Sequence, residues 1–395
     1  MRTQACRIIK ERFLDIAWVL FVASQLITMT AWYAMIESDL KVIVYKGVSA
    51  VSCILCLAVI AIKLICREYK LKTFICYAIF GLVCLGSWFY SRDNIIIWMF
   101  VLLMAAYNSD SRRIIGISSV IAAVVLFAVI IASRLNLIEN MIYQAGGRIR
   151  HGMGFVWVTT GPTIFFFLML QYIFLRKNKM RLCEYAAGLL INVYLYVKTG
   201  TRLPFFLLTA AILFFAAVSL FKKKWRISRR AKLFFYLIPV LICAASILIC
   251  AFFRWEDPVW HRINTLLNSR PHYGAAAFRE YGVNLFGRQI EWVGNSIIPS
   301  GGTYNYVDCS YVRILLNFGA LFLTAVLAVY YRLLYRAVRA EDFYLVWIAV
   351  FTLLHGFTEP TLFDMGFNVF PMIAFASVGT EPVEYKKGFL KELFS

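Results

Sequence analysis

Apolar runs about twenty residues long recur from one end of this 395-residue chain to the other, and they limit its fold more than any other feature. In hydrocarbon every backbone N–H and C=O must find a partner within the protein, so only helices or closed barrels cross a bilayer. A helix needs roughly 20 residues to cover ~30 Å of hydrocarbon. The runs are continuous rather than alternating, which selects helices. With 62% hydrophobic residues, 17% aromatics and a mean hydropathy of +0.73, the chain lies far from soluble composition. The expected fold is therefore all-α, a single polytopic integral membrane domain over residues 1–395. About twelve spans are expected, at 13–34, 42–65, 71–90, 94–107, 114–132, 151–174, 182–198, 203–221, 232–252, 311–331, 342–357 and 361–378. The first run lacks a small-x-small cleavage site and is expected to stay as an anchor. The ten cysteines, Cys53 and Cys56 among them, suit small buried hydrophobes.

A cytoplasmic N-terminus would make every second connection basic, and these are "CREYKLK", "SDSRR", "LRKNKMR", "FKKKWRISRRAK", "YRLLYRAVR" and the tail "EYKKGFLKE". Both termini then lie inside. Of 41 Lys and Arg, this topology places 27 inside and 14 outside, so the formal +20 is mainly a topology signal and not a nucleic-acid footprint. Nucleic acid is not an expected partner; the lipid bilayer is.

The outer cations are informative, being three lysines and eleven arginines: Arg92, Arg134, Arg148, Arg150, Arg202, Arg254, Arg262, Arg270, Arg279, Arg288 and Arg313. Arginine's planar fork suits bidentate contact with phosphate or carboxylate, so an anionic ligand is expected at this face. The plainer alternative, arginine snorkelling at the interface, fits Arg92 and Arg134 first. All four histidines also fall on this side or at its helix ends.

Four polar segments share that face. The longest connection, 253–310, holds two stretches with a starting proline and helical apolar spacing, "PVWHRINTLL" and "PHYGAAAFREY", expected as short interfacial helices. "NLFG" and "PSGGTYN" supply turns, and Asp308 and Tyr311 stand where the chain re-enters the membrane. "NMIYQAGGRIRHGMGF" carries Arg148, Arg150 and His151; "YVKTGTRLPFF" carries Lys198 and Arg202; "LLHGFTEPTLFDMGFN" carries Glu359 and Asp364. Ionisable groups at membrane depth are costly to bury and point to function. One outer cavity lined by Arg, His and carboxylates is the simplest arrangement.

At these residues the chain resembles the Wzy-type polysaccharide polymerases, relatives of the O-antigen ligases. "GRIRHGMGFVWVTTGP" resembles the family's Arg-x-Arg-x-x-x-Gly-Phe approach to a helix, and "KTGTRLPFF" its Thr-Gly-Ser-Arg hairpin. "NSRPHYGAAAFREYGVNLFGRQI" resembles its Arg followed by a Leu-Phe-Gly turn, and "VDCSYVRILLNFG" its Asp-Asn-x-Tyr start of a helix with Phe-Gly. "GFTEP" before an Asn-bearing last span fits as well. Cys309 stands for the usual Asn, Thr201 for the usual Ser, and no His-Pro-Asn follows Gly154-Phe155.

The resemblance implies a GT-C-like membrane glycosyltransferase of the bacterial cytoplasmic membrane. It would join undecaprenyl-pyrophosphate-linked oligosaccharide units at the outer face, alongside a chain-length regulator and a flippase of the same pathway. On this resemblance Arg148, Arg150, Arg202 and Arg270, with Arg279, Arg288 and Tyr311, would bind substrate. Asp308, Glu359 and His272 would be the catalytic candidates. No metal-ligand cluster is evident in the sequence and no cofactor is expected, so arginine would neutralise the leaving pyrophosphate. Tyr273, Tyr281, Tyr304 and Tyr311 could stack on sugars or sit at the interface. Two other classes remain open: a ligase moving finished polymer to another acceptor, and a flippase, for which matching Gly/Pro breaks in two halves would be expected and are not found.

Overall fold

The computed structural model describes residues 2–145, 147–221, 227–294 and 304–377. The tail motif "EYKKGFLKE", the basic heart of "FKKKWRISRRAK" and most of "PSGGTYN" lie outside the described residues.

The chain is a helical membrane protein. In order it forms α1 (Arg2–Ile27), α2 (Ala31–Met35), α3 (Asp39–Ile65), α4 (Leu71–Ser91), α5 (Ile95–Ala106) and α6 (Ser111–Arg134). A hairpin follows, β1 (Ile142–Ala145) and β2 (Arg148–His151), then α7 (Thr160–Arg176), α8 (Leu182–Thr199), α9 (Arg202–Phe221) and α10 (Arg229–Ala251). The long connection contains α11 (Pro258–Leu266) and α12 (Arg270–Tyr281), where the two short helices are expected, and α13 (Ser310–Arg339), α14 (Phe343–Thr358) and α15 (Phe370–Ile373) close the fold. Among the described residues six helices are long and apolar enough to cross a membrane: α3, α4, α6, α9 (as 202–220), α10 and α13.

The helix boundaries have local causes. Asp110 accepts from Arg112 N (2.9 Å) at the start of α6, Ser228 from Ala231 N at α10, and Asp257 from Val259 N before Pro258 at α11. Lys63, fully buried on α3, donates to Ala105 O (2.6 Å), Tyr107 O (2.5 Å) and Ser109 Oγ (2.9 Å), satisfying the carbonyls left open where α5 ends.

Among the described residues six of the twelve expected spans are met by a helix long and apolar enough to cross; 13–34 breaks between α1 and α2, 342–357 is the 16-residue α14, and three further regions depart more strongly. Helix α5 has 12 residues, about 18 Å at 1.5 Å per residue, too short to cross alone. The run 151–174 begins as strand and turns, with helix only from Thr160. The run expected at 361–378 is described to residue 377 and is mostly irregular there, with four helical residues ahead of which stand Gly366 and Asn368. Irregular backbone is tolerated there because protein covers it: Asn368 Nδ2 donates to Leu362 O and to Tyr330 Oη (both 2.8 Å), and Tyr330 Oη donates to Leu362 O (2.7 Å).

The core lies along α1, α7, α13 and α14; Phe166, Phe167, Tyr311, Tyr330 and Phe322 are almost completely buried. Helices α3, α4, α6 and α8 instead show apolar side chains on their outer faces, among them Ile54, Leu82, Val124 and Leu190. An apolar surface of this extent is what a bilayer covers.

Candidate functional site

The segment 284–294 reaches the membrane-embedded part through a break in α13. At Gly319 the backbone leaves helical geometry (φ 89°, ψ 171°), and Gly287 (φ 78°) lies against it. A Cβ on Gly287 would collide with the Asn317 carbonyl, and one on Gly319 with Leu285 O, so only glycine fits either position. The groups freed by the break are satisfied in trans. Arg288 N donates to Asn317 O (3.0 Å), Ala320 N to Asn284 O (2.9 Å) and Leu321 N to Leu285 O (3.1 Å), while Ser87 Oγ donates to Phe318 O (2.7 Å). Phe286 lies against Gly86 and stacks on Tyr90 at 5.9 Å. "NLFG" and "NFG" thus form one interlocked unit that pins the long connection to α4 and α13. Asn305 ties the loop's two limbs, accepting from Val293 N (2.7 Å) and donating to Tyr281 Oη and Glu291 O (both 3.1 Å).

This anchoring sets an ion cluster at the face where α8 and α14 end and α7 and α13 begin. Arg270, 8% exposed at the start of α12, donates through Nε to Thr358 O (2.7 Å) and through Nη2 to Glu359 Oε1 (3.1 Å); Nη2 also lies 3.5 Å from Asp308 Oδ2. Glu359, directly after α14, accepts from the Thr159 hydroxyl. Its backbone oxygen accepts from Ser310 Oγ (2.5 Å), which in turn accepts from Leu362 N (3.0 Å), locking the start of α13 to the end of α14. Arg150 donates from Nε to Thr199 O (2.8 Å) and stands within electrostatic reach of both carboxylates. Arg313 acts on Asp308 from the first turn of α13, its guanidinium 4.6 Å over the Tyr306 ring.

Arg150, Arg270 and Arg313 all bear on Asp308, and Arg313 bears on Asp364 as well. Burial pushes the Glu359 carboxyl up to about 8; Arg270 pulls it back and Asp308 pushes it further up. Burial raises Asp308 as well, against Arg270, Arg313 and Arg150. Both groups lie in connections outside the spanning helices. Asp308 is the more open of the two, its side chain 27% exposed against 6% for Glu359. A site with converging guanidinium groups, little water and a carboxylate at its edge can hold an anion and take up or position a proton.

An aromatic wall adjoins it. Trp255 lies 5.0 Å from His272, His272 5.3 Å from Tyr273 and Tyr273 4.7 Å from Tyr304, whose hydroxyl senses the Asp308 charge.

The structure therefore brings Arg150, Arg270, Asp308 and Glu359 together. Arg148 shares their strand face two residues from Arg150 but is exposed, as are Arg202 and Arg279. Arg288 is built into the turn: with the Asn284 amide oxygen turned toward it, Nη2 donates over 2.7 Å. His272 contacts aromatic rings rather than the ion cluster. Tyr311, expected at a sugar, is wholly buried and donates to Leu353 O (2.8 Å), so it holds α13 on α14. Sequence reasoning missed Thr159, Ser310 and Asn305 as parts of the site; only the adjacency of Thr159 to a Gly-Pro helix start hinted at the first. No family model, no curated protein and no solved structure matches the chain, so what can be said of its function rests on this constellation of residues.

Proposed function

We propose that the protein is a metal-independent membrane glycosyltransferase of the polysaccharide-polymerase type, joining lipid-pyrophosphate-linked oligosaccharide units at the outer face of a bacterial cytoplasmic membrane. The observation that carries this reading is the convergence of Arg150, the buried Arg270 and Arg313 on Asp308 and Glu359, next to the wall of Tyr273 and Tyr304. A leaving pyrophosphate gathers negative charge as its bond breaks, and preoriented guanidinium groups in a water-poor site stabilise that charge.

On this reading an acceptor sugar hydroxyl attacks the anomeric carbon of the donor, the bond from that carbon to the phosphate oxygen breaks, and the pyrophosphate departs with the electron pair. The hydroxyl proton passes to Asp308, the more open carboxylate. Glu359 is a positioning residue, holding Arg270 against Thr159 and Ser310. The aromatic wall stacks on sugar faces. The polytopic GT-C-like arrangement with twelve crossings and both termini inside belongs to the same reading, with α5 and 361–377 crossing as parts of the bundle interior.

The test is gel analysis of glycans from cells lacking the gene, complemented with wild-type or Arg270→Ala copies. Single repeat units capping the carrier, with a ladder restored only by wild type, support the proposal. Full-length polymer left on its carrier would assign the ligase reaction instead, and units trapped on the inner leaflet a flippase.

A further inference from the structure

A second cavity, of about 190 Å³, opens on the other side of the β1–β2 hairpin, lined by Ser133 and Arg134 from the end of α6, Asn140, His151 from β2, and Lys198 from the last turn of α8. Neighbouring residues on a strand point to opposite faces, so Arg150 turns toward Thr199 and the ion cluster while His151 turns toward this cavity. The two sites are separate.

The polar lining groups all carry donors, beside the apolar Ile130 and Met153. Asn140 Oδ1 accepts from Met153 N (2.9 Å), which leaves Asn140 Nδ2 facing His151 Nδ1 at 2.9 Å. The Nδ1 must therefore accept, and in the neutral ring the proton sits on Nε2, on the opposite edge from Asn140. Arg134 donates to the Tyr194 hydroxyl through Nε (3.1 Å) and Nη2 (2.7 Å), a neutral partner that leaves its charge uncompensated. Among the described residues neither Arg134 nor Lys198 takes part in an ion pair, and no carboxylate lines the cavity.

The surface that runs away from this cavity is apolar. Helix α6 exposes Val120, Val124, Phe127 and Ile131, at helical spacing, and α8 exposes Leu190, Val193 and Val197. Both helices pack on α7. A donor-rich pocket at the ends of two helices, with a stripe of bilayer-facing side chains below it, matches a molecule whose anionic head and hydrocarbon tail lie in the same line.

We propose that this cavity binds the phosphate headgroup of an anionic membrane phospholipid, held by Arg134, Lys198 and His151 Nε2–H, with its chains along α6 and α8. Snorkelling alone would place Arg134 at the interface but would not gather Lys198, His151 and an oriented Asn140 around one half-open cleft. The site is independent of the proposed transfer reaction and needs neither Arg270 nor Asp308.

The test is native mass spectrometry of the full-length protein released from detergent with phosphatidylglycerol, with phosphatidylcholine, or with inorganic phosphate. Wild type should retain one phosphatidylglycerol in preference to phosphatidylcholine. The Arg134→Gln/Lys198→Gln variant should lose about 10²-fold in that retention, as expected for two charge-assisted hydrogen bonds. The charge-conserving Arg134→Lys/Lys198→Arg variant should keep most of it. Equal retention by wild type and the Gln variant would overturn the proposal, and so would displacement of the lipid by inorganic phosphate with the same residues required, since that would assign a small-anion site. If the double variant does not fold, Lys198→Glu at the half-exposed cavity rim carries the same test.

Discussion

Arg270 and Glu359 stand 89 residues apart in the chain and meet at 3.1 Å, while the same guanidinium grips the carbonyl of Thr358 at 2.7 Å. One side chain therefore fixes α12 against the end of α14 and carries the central positive charge of the site. Arg270→Ala should reduce transfer by at least about 10²-fold, the scale of losing one preoriented donor. Arg270→Lys should rescue little, because an ammonium group cannot replace a planar fork bound at two places. Glycan ladders normalised to protein in the membrane check this; a normal ladder with Arg270→Ala would remove Arg270 from the proposed chemistry.

Glu359 makes stability depend on pH. Its carboxyl, ordinarily near 4.5, is raised to about 8 by burial. Between those values the unfolded chain has released the proton and the folded chain still holds it. Stability is then full below the unfolded value and falls as pH rises toward the folded one. Glu359→Gln keeps the shape of the neutral acid without the ionisation. The thermal midpoint of the variant should gain on wild type between about pH 5 and about pH 8. A constant difference across that window would mean that Glu359 is already ionised in the folded protein.

The interlock of Gly287 and Gly319 should be intolerant. Both backbones have positive φ, and each would drive a Cβ into a carbonyl of the other segment. Gly319→Ala should cost about 3 kcal/mol or more from strain and collision combined, and lower the amount of protein in the membrane. Gly47→Ala, where a Cβ meets open space in α3, is the control and should be neutral or slightly stabilising. Thermal midpoints of the two variants in detergent decide the matter.

Tyr311→Phe separates structure from substrate contact. Its hydroxyl donates to Leu353 O at 2.8 Å inside the core. Removing it should cost about 0.5–1.5 kcal/mol of stability, the net worth of one hydrogen bond, because Leu353 O keeps its place in the α14 ladder. The apparent KM for the lipid-linked donor should not change. A raised KM at unchanged stability would return Tyr311 to the substrate site.

Lys63→Met tests the buried cap on α5. The substitution keeps most of the side chain's volume and abandons three acceptors, Ala105 O, Tyr107 O and Ser109 Oγ. A lowered thermal midpoint with the Arg270 site still active is expected. An unchanged midpoint would mean that water replaces the ammonium group.

What the sequence determined by itself was the class of fold, because run length and continuity alone decide whether a segment can satisfy its backbone in hydrocarbon. It also singled out Arg150, Arg270, Asp308 and Glu359, since arginine and carboxylates are too costly near a membrane to be scattered without cause, but it named Arg148, Arg202, Arg279, Arg288, His272 and Tyr311 beside them. Tertiary structure decided the rest. Whether 361–378 could dispense with helix depended on Asn368 and Tyr330 reaching its carbonyls, and no local pattern encodes partners 32 or more residues away. Whether Tyr311 touched a sugar or Leu353 depended on which face of α13 met α14. The two sides of the hairpin became different sites because β pairing put Arg150 and His151 on opposite faces, and what each then faced was set by α8, α6 and the end of α14. Distances between segments far apart in sequence arise only from packing, so part of the site's charged composition was legible in the chain, while Thr159, Ser310 and Asn305 and the geometry were not.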